Sequence, residues 1–155
     1  MPDTDTGVFT VRFPQVVGQI RLNIGITAAN RPDDPSGIGR RFLAIWDTGS
    51  NKTVISPRVA LSLQLESIGT SNLEDARGKG KTNKHLVNLF LPNGIMLPEV
   101  TVGVVVNDLL KADALIGMDV ISLGDSSIST HGAKTVLSFR YPALGGVDYQ
   151  KERSG

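Results

Sequence analysis

The sequence predicts an all-β fold, because most of its hydrophobic patterning is the patterning of strands. Apolar residues occupy every second position in residues 19–26, which is typical of a half-buried strand. The uninterrupted apolar run at residues 42–46 indicates a strand that is buried on both faces. Residues 86–91 and 95–106 flank a turn at residues 92–94, and the three segments together predict a β-hairpin.

Shorter strands and two short helices complete the prediction. Ser56 and Pro57 form a good helix start, with serine as the N-cap and proline in the first helical position. A second short helix follows the apolar run at residues 114–117. Further strands are expected at residues 8–13, 53–55, 127–129 and 135–141, and flexible polar segments at residues 30–39 and 69–84.

The length suits one domain with a core of its own. The chain has 155 residues, and we expect a folded unit at residues 8–144 between a flexible N-terminus at 1–7 and a flexible tail at 145–155. There is no cysteine, which excludes disulfides and thiolate chemistry. Only His85 and His131 could supply an imidazole, so a histidine metal cluster or a Ser/His/Asp triad has few residues to use. We expect no metal and no cofactor.

Charge and hydropathy give no reason to expect a nucleic-acid or membrane partner. The formal net charge is +1, and no apolar run approaches the roughly 20 residues that a membrane-spanning helix needs. The first residues are acidic and polar, unlike the charged start and apolar run of a signal peptide. We therefore expect a cytoplasmic protein.

The candidate reactive residue is Asp47, in the tripeptide Asp47-Thr48-Gly49. The same tripeptide also ends at Gly7, but that copy lies in a polar terminus with no apolar strand before it. Asp47 directly follows a buried strand, so the core can hold its carboxylate at the floor of a cleft. The alternative interpretation is an ordinary turn, since Asp, Thr, Gly and the following Ser50 all favour turns.

A second motif favours the cleft. Residues 114–121 contain two apolar residues, a glycine and a helix start. Together with residues 42–50, 53–56 and 91–94, this segment resembles the retropepsin family, the dimeric retroviral-type aspartic proteases and their cellular relatives. The chain is most similar to the stand-alone bacterial-type members, over most of residues 18–141. The resemblance implies a closed, retropepsin-like β-barrel (the acid protease fold) with two short helices, forming half of a dimeric protease.

The resemblance also implies roles for single residues around the tripeptide. Asp47 matches the catalytic aspartate, and Thr48 matches the threonine that braces the catalytic loop across the dimer. Gly49 matches the glycine that lets that loop turn, and Ser50 would support the same loop. These residues would therefore form the catalytic loop.

Two further segments acquire expected roles from the same resemblance. One packs beside the catalytic loop and consists of Leu115, Ile116 and Gly117. The other is residues 69–85, where the family places its flap, a hairpin that closes over substrate. Its tip would bind substrate through Arg77, Gly78, Lys79 and Gly80.

A single catalytic aspartate in a chain of this length implies two chains. Hydrolysis by this route needs two carboxylates that share a proton around one water, and their pKa values belong to the pair. A two-fold homodimer would supply the second Asp47 from the same position on the partner. The sequence thus predicts an aspartic endopeptidase with peptide or protein substrates.

Two other functions stay open from the sequence. The chain could be a non-catalytic binding or dimerisation module on the same fold, or an ordinary β-barrel that binds a ligand. The basic residues near the expected flap tip also allow two interpretations, a solvated loop or a preference for acidic substrates. They are Arg77, Lys79, Lys81 and Lys84, and no aromatic residues interleave them as stacking on nucleic-acid bases requires.

Overall fold

The computed structural model describes residues 7–31, 39–75, 78–105 and 109–153, without the side chains of 73–75 and 78. Ten strands and three short α-helices lie in these residues. The strands are β1 (Gly7–Arg12), β2 (Arg21–Ala28), β3 (Arg40–Trp46), β4 (Val54–Ile55), β5 (Gly69–Asp75), β6 (Gly78–Leu91), β7 (Ile95–Val104), β8 (Ala114–Ile116), β9 (Asp125–His131) and β10 (Lys134–Tyr141). The helices are α1 (Pro57–Ser62), α2 (Met118–Ile121) and α3 (Tyr149–Glu152).

Six strands close into the β-barrel that the sequence predicts. Their order is β2-β3-β8-β4-β7-β6, and β6 pairs with β2 to close the ring. Strand β5 extends from the barrel on the free part of β6. The strand β8 runs parallel to β3 and antiparallel to β4, so these three strands meet in the middle of the order. This arrangement brings the end of β3 beside the end of β8.

A separate three-stranded sheet is built from the two ends of the chain. Strand β10 lies in the centre and pairs antiparallel with β1 on one side and β9 on the other. The buried side chains of this sheet include Phe9 and Phe139, which pack on Trp46 at the end of β3 with ring centroids 6.0 and 5.2 Å away. Trp46 is 5% exposed, so its ring is part of the core. The sheet is therefore joined to the barrel next to Asp47.

The first helix begins as its sequence predicts. The side chain of Ser56 accepts a hydrogen bond from the backbone N–H of Val59, and Pro57 occupies the first turn. Val59 is fully buried against the barrel. No helix in the described part of the chain is long and apolar enough to cross a membrane.

The polar composition of residues 69–84 suggests a flexible segment, which is wrong, whereas the family resemblance suggests a hairpin there. The described residues of this segment form β5 and the first half of β6, paired from Gly69 opposite Lys84 to Asp75 opposite Gly78. His85 is buried inside β6, where its Nδ1 lies 2.8 Å from the backbone oxygen of Glu66. Composition alone does not indicate this hairpin, because most of its described side chains are polar and exposed to solvent.

The helices outnumber the two that the sequence predicts. The third, α3, lies in the segment expected to be a flexible tail, and the side chain of Asp148 caps it by accepting from the backbone N–H of Gln150. At the other end, β1 begins at Gly7, whereas the rest of the expected flexible N-terminus lies outside the described residues. Most of the predicted loop at residues 30–39 also lies outside them.

Candidate active site

Asp47 lies where two parallel strands end side by side. Trp46 pairs with Ile116 in the β3–β8 ladder, and the backbone N–H of Asp47 donates to the oxygen of Ile116 at 2.9 Å. Leu115, in the middle of β8, pairs with Val54 on the other side. Asp47 is half-buried at this position. The predicted second motif is thus adjacent to the predicted catalytic residue, although the two are separated by some 70 positions in the chain.

The residues after Asp47 fold back onto it in a tight turn. The backbone N–H of Gly49 donates to Oδ1 of Asp47 at 2.8 Å, and the N–H of Ser50 donates to the backbone oxygen of Asp47 at 3.3 Å. A Cβ on residue 49 would lie 3.1 Å from Oδ1 of Asp47, so glycine suits this approach. Oδ2 of Asp47 has no hydrogen-bond partner among the described residues. Thr48 is exposed at the top of the turn.

The other half of the loop is fastened to the start of α2. The backbone N–H of Met118 donates to the oxygen of Ser50 at 2.7 Å, and the hydroxyl of Ser50 donates to the oxygen of Lys52 at 2.8 Å. Gly117 lies so close to Lys52 that a Cβ on residue 117 would be 2.6 Å from the Lys52 backbone. The glycine of the second motif is therefore required by the close approach of the Asp47 loop.

A hydrogen-bonded pair of buried Thr53 and half-buried Asp119, which the sequence did not reveal, locks this loop. Asp119 accepts from the backbone N–H of Thr53 at 3.0 Å and from its hydroxyl at 2.7 Å. The same hydroxyl oxygen accepts from the backbone N–H of Gly117 at 3.1 Å. Thr53 is only 1% exposed. Nothing local in the sequence indicates that Asp119 has a partner 66 positions away.

A second carboxylate supports β3 from beside β8. Oδ2 of Asp113 accepts from the backbone N–H of Leu43 at 2.9 Å, and its Oδ1 forms an ion pair with Arg58 on α1. The backbone oxygen of Asp113 also accepts from the N–H of Ser56 at 2.8 Å. One residue thus ties the strand that carries Asp47 to both β8 and α1.

The expected flap residues are only partly described. Arg77 lies outside the described residues, Gly78 begins β6, and Lys79 and Gly80 are exposed on that strand. The described contacts join the base of this hairpin to β7, through Thr82, which bonds to the oxygen of Val104. None of the described contacts joins the hairpin to Asp47. The structure thus places the Asp47 loop in contact with the second motif, whereas the described part of the hairpin makes no contact with Asp47.

A cavity of about 610 Å³ opens beside the loop. It lies between the loop, the base of the β5–β6 hairpin, β7 and α2. Its charged residues are Lys52, Lys84, Glu99 and Asp119. The cavity shares Thr53 and Asp119 with the hydrogen-bonded pair that locks the loop.

A carboxyl group with a shifted pKa lies at the start of β9, on the sheet built from the chain ends. The backbone N–H of Leu144, the side chain of Arg140 and the N–H of Gly146 all donate to Asp125, and they lower the pKa of its carboxyl. Among the described residues, no group of three or more histidine, aspartate and glutamate side chains is placed to hold a metal ion.

Comparison with known proteins identifies the family of the chain. A family model described as "gag-polyprotein putative aspartyl protease" matches residues 38–122, more than half of the chain and the part that carries both the Asp47 loop and Gly117. The chain belongs to this family of retroviral-type aspartic proteases. The family and the fold together indicate a protease.

The fold is shared with a solved structure. The crystal structure of a retropepsin-like aspartic protease from Rickettsia conorii matches with a TM-score of 0.57 and 13% identity, over 91% of this chain and 99% of that chain. Such a low identity supports the fold alone. No curated protein sequence matches the chain.

Proposed function

We propose that the chain is an aspartic endopeptidase whose active site forms when two copies bring their Asp47 residues together. The protease unit is residues 8–144. The observation that carries this proposal is the position of Asp47, half-buried at the paired ends of β3 and β8, with Gly49 bonded to one carboxylate oxygen. A turn with no chemical role would not need the hydrogen bonds that fix both halves of the loop to α2 and β8.

Among the described residues, a single chain provides one such carboxylate. The Asp5-Thr6-Gly7 copy of the motif follows a short polar stretch with no apolar run in the sequence, so we do not count it as a second site of this type. Peptide hydrolysis by two aspartates therefore requires a second copy of the chain, related by a two-fold axis. Exposed Thr48 is available to contact the partner's loop across that axis.

The sheet formed from the chain ends is the proposed dimer contact. Strand β9 is an edge strand of that sheet among the described residues, and its unpaired backbone groups can bond to a partner. Ile128 on this strand is 54% exposed, although it lies opposite the fully buried Leu137. Trp46 packs against the same sheet, so a dimer formed there lies close to Asp47.

The chemistry requires the two carboxylates to act as one acid and one base. The ionised Asp47 accepts a proton from a water molecule, while the protonated Asp47 of the other copy donates a hydrogen bond to the scissile carbonyl oxygen. The water oxygen bonds to the carbonyl carbon, the C–N bond then breaks, and the amine leaves with a proton. The β5–β6 hairpin would serve as the flap that covers the peptide, with residues 77–80 at its tip.

The test is cleavage of a mixed peptide library at several pH values by wild type and by Asp47→Asn. Both proteins are first shown to be folded, and their oligomeric state is measured by sedimentation. We expect cleavage by wild type and at least a hundredfold loss in the variant, because an amide cannot act as the base. Equal cleavage by both would assign the activity to another site. A folded, dimeric wild type that cuts nothing would favour a non-catalytic binding module.

A further inference from the structure

The basic residues near the expected flap tip are divided between two faces of the hairpin. Because side chains alternate along a strand, Lys81 and Lys84 point to opposite sides of β6. Lys81 lines a shallow depression against α1, whereas Lys84 lines the 610 Å³ cavity beside the Asp47 loop. The cluster that looks continuous in sequence therefore places one lysine in that cavity.

A second lysine enters the same cavity from the loop itself. Lys52 is fixed at its backbone by the hydroxyl of Ser50 and by the close packing of Gly117. Among the described residues, neither Lys52 nor Lys84 has an ion-pair partner. Two ammonium groups from different elements thus line one concave site.

The cavity also contains two carboxylates, Asp119 and Glu99, which differ in their hydrogen bonds. Asp119 already accepts hydrogen bonds from Thr53 at both of its oxygens. Glu99 is exposed and has a φ of 53°, in the left-handed region that few non-glycine residues adopt. Its backbone N–H donates to the buried Asn88 at 3.2 Å, which holds this conformation. Removing the Glu99 carboxylate should therefore strengthen the attraction of an anion without breaking a hydrogen bond that the structure describes.

We infer that this cavity binds an acidic side chain of the substrate, glutamate or aspartate, through Lys52 and Lys84. The inference rests on the proposed function, since it names the substrate class of the same protease. A carboxylate suits the site because it can accept from both ammonium groups and from the polar side chains of Ser71 and Asn72, which also line the cavity.

The position of Lys52 limits where that acidic residue lies in the substrate. Lys52 follows Asp47 by five residues, and five residues of chain span at most about 18 Å. A bound peptide in an extended conformation advances about 3.3 Å per residue. The acidic residue should therefore lie within about five or six positions of the scissile bond.

The test uses labelled peptides in matched pairs that differ by glutamate or glutamine at one position. Cleavage by wild type is measured for each pair, and binding of the same peptides to Asp47→Asn is measured by fluorescence anisotropy. We expect a preference for glutamate at one position within the predicted distance. An exposed charge pair contributes up to about 1 kcal/mol, so each lysine should contribute about two- to fivefold. Raising the salt concentration should reduce the preference.

Four variants assign the preference to the cavity. Lys52→Gln and Lys84→Gln should each reduce the glutamate-to-glutamine ratio, and Glu99→Gln should increase it. Lys81→Gln removes the same charge from the opposite face of β6 and should keep the wild-type ratio. Each ratio compares two peptides on one protein, so a general change in activity or stability does not alter it.

The outcomes separate this inference from the proposed function. If wild type cleaves the peptides and the glutamate-to-glutamine ratio falls in Lys52→Gln and Lys84→Gln, both the protease function and the cavity inference are supported. If wild type cleaves the peptides without preferring glutamate, the cavity inference is contradicted. The same holds if Lys81→Gln reduces the preference as strongly as Lys52→Gln and Lys84→Gln do. In both cases the proposed protease function still stands. If Asp47→Asn binds acidic peptides through the two lysines but wild type cleaves none of them, the cavity still binds acidic side chains and the proposed protease function is contradicted. If wild type cleaves no peptide and Asp47→Asn binds no acidic peptide, both the protease function and the cavity inference are contradicted.

Discussion

Thr53 and Asp119 are joined by two hydrogen bonds, from the backbone N–H of Thr53 at 3.0 Å and from its hydroxyl at 2.7 Å. Because the hydroxyl oxygen also accepts from Gly117, this threonine connects the Asp47 loop, α2 and the end of β8. The pair lies at the wall of the main cavity, one residue from Lys52. Positioning of the loop therefore depends on contacts outside the Asp47-Thr48-Gly49 tripeptide.

Replacing Thr53 with valine should destabilise the protein and lower its peptidase activity. The change keeps the shape of the side chain but leaves the Gly117 N–H without its acceptor and removes the hydroxyl donor to Oδ1 of Asp119, which keeps only the N–H of Val120. An unsatisfied buried group of this kind costs about 1–3 kcal/mol. The free energy of unfolding, measured with urea, checks the cost. Asp148→Asn is the control, since asparagine caps α3 as well as aspartate does. A cost for Thr53→Val no larger than that of the control would contradict the pair's role.

Gly117→Ala should disturb the Asp47 loop directly. A Cβ at this position would lie 2.6 Å from the backbone of Lys52, and backbone can move away only by shifting the loop. We expect a loss of about 1–3 kcal/mol in the free energy of unfolding, together with lower activity. Gly18→Ala is the matched control, because a Cβ there meets nothing within 4 Å. Equal melting temperatures for the two variants would show that the contact is not tight.

Asp125 should make stability depend on pH in the acidic range. Hydrogen bonds from the Leu144 N–H and the Arg140 side chain lower its pKa below the ordinary value of 3.8. The stabilisation is thus fully present above that value and is lost as the pH falls through the lowered pKa. Wild type should therefore be more stable than Asp125→Asn at neutral pH, and the difference should shrink below about pH 4. Unfolding curves of both proteins at several pH values check this, and a gap independent of pH would refute it.

Ile128→Lys should weaken the dimer without unfolding the chain. Ile128 lies at the edge of the sheet that we propose as the dimer contact, and it is already 54% exposed in the single chain. Losing its apolar contact and adding a charge should raise the dissociation constant by about tenfold or more. Leu61→Lys on α1, where leucine is 77% exposed, is the control. Sedimentation at several concentrations distinguishes the two, and equal dissociation constants would place the dimer contact elsewhere.

The sequence predicted those parts of the fold that have local signals. The apolar strand before Asp47, the Ser56-Pro57 helix start and the glycine at 117 each follow from neighbouring residues or from the family resemblance. The Thr53–Asp119 pair joins residues 66 positions apart, and neither residue type indicates a partner by itself. Likewise, the resemblance predicts a hairpin at residues 69–85, but the face on which Lys84 lies depends on the register of β5 and β6, which the sequence does not give. The capped turn of α3 was missed because a four-residue helix has almost no periodicity.

The central claim, that two copies share one active site through Asp47, is tested most directly by mixing subunits. A fixed amount of wild type is equilibrated with increasing amounts of Asp47→Asn, and the rate of peptide cleavage is measured at each ratio. With random pairing, a ninefold excess of the variant should leave about one tenth of the wild-type activity, because most wild-type chains then face an asparagine. Unchanged activity at that ratio would show that one chain hydrolyses peptides by itself and would contradict the account.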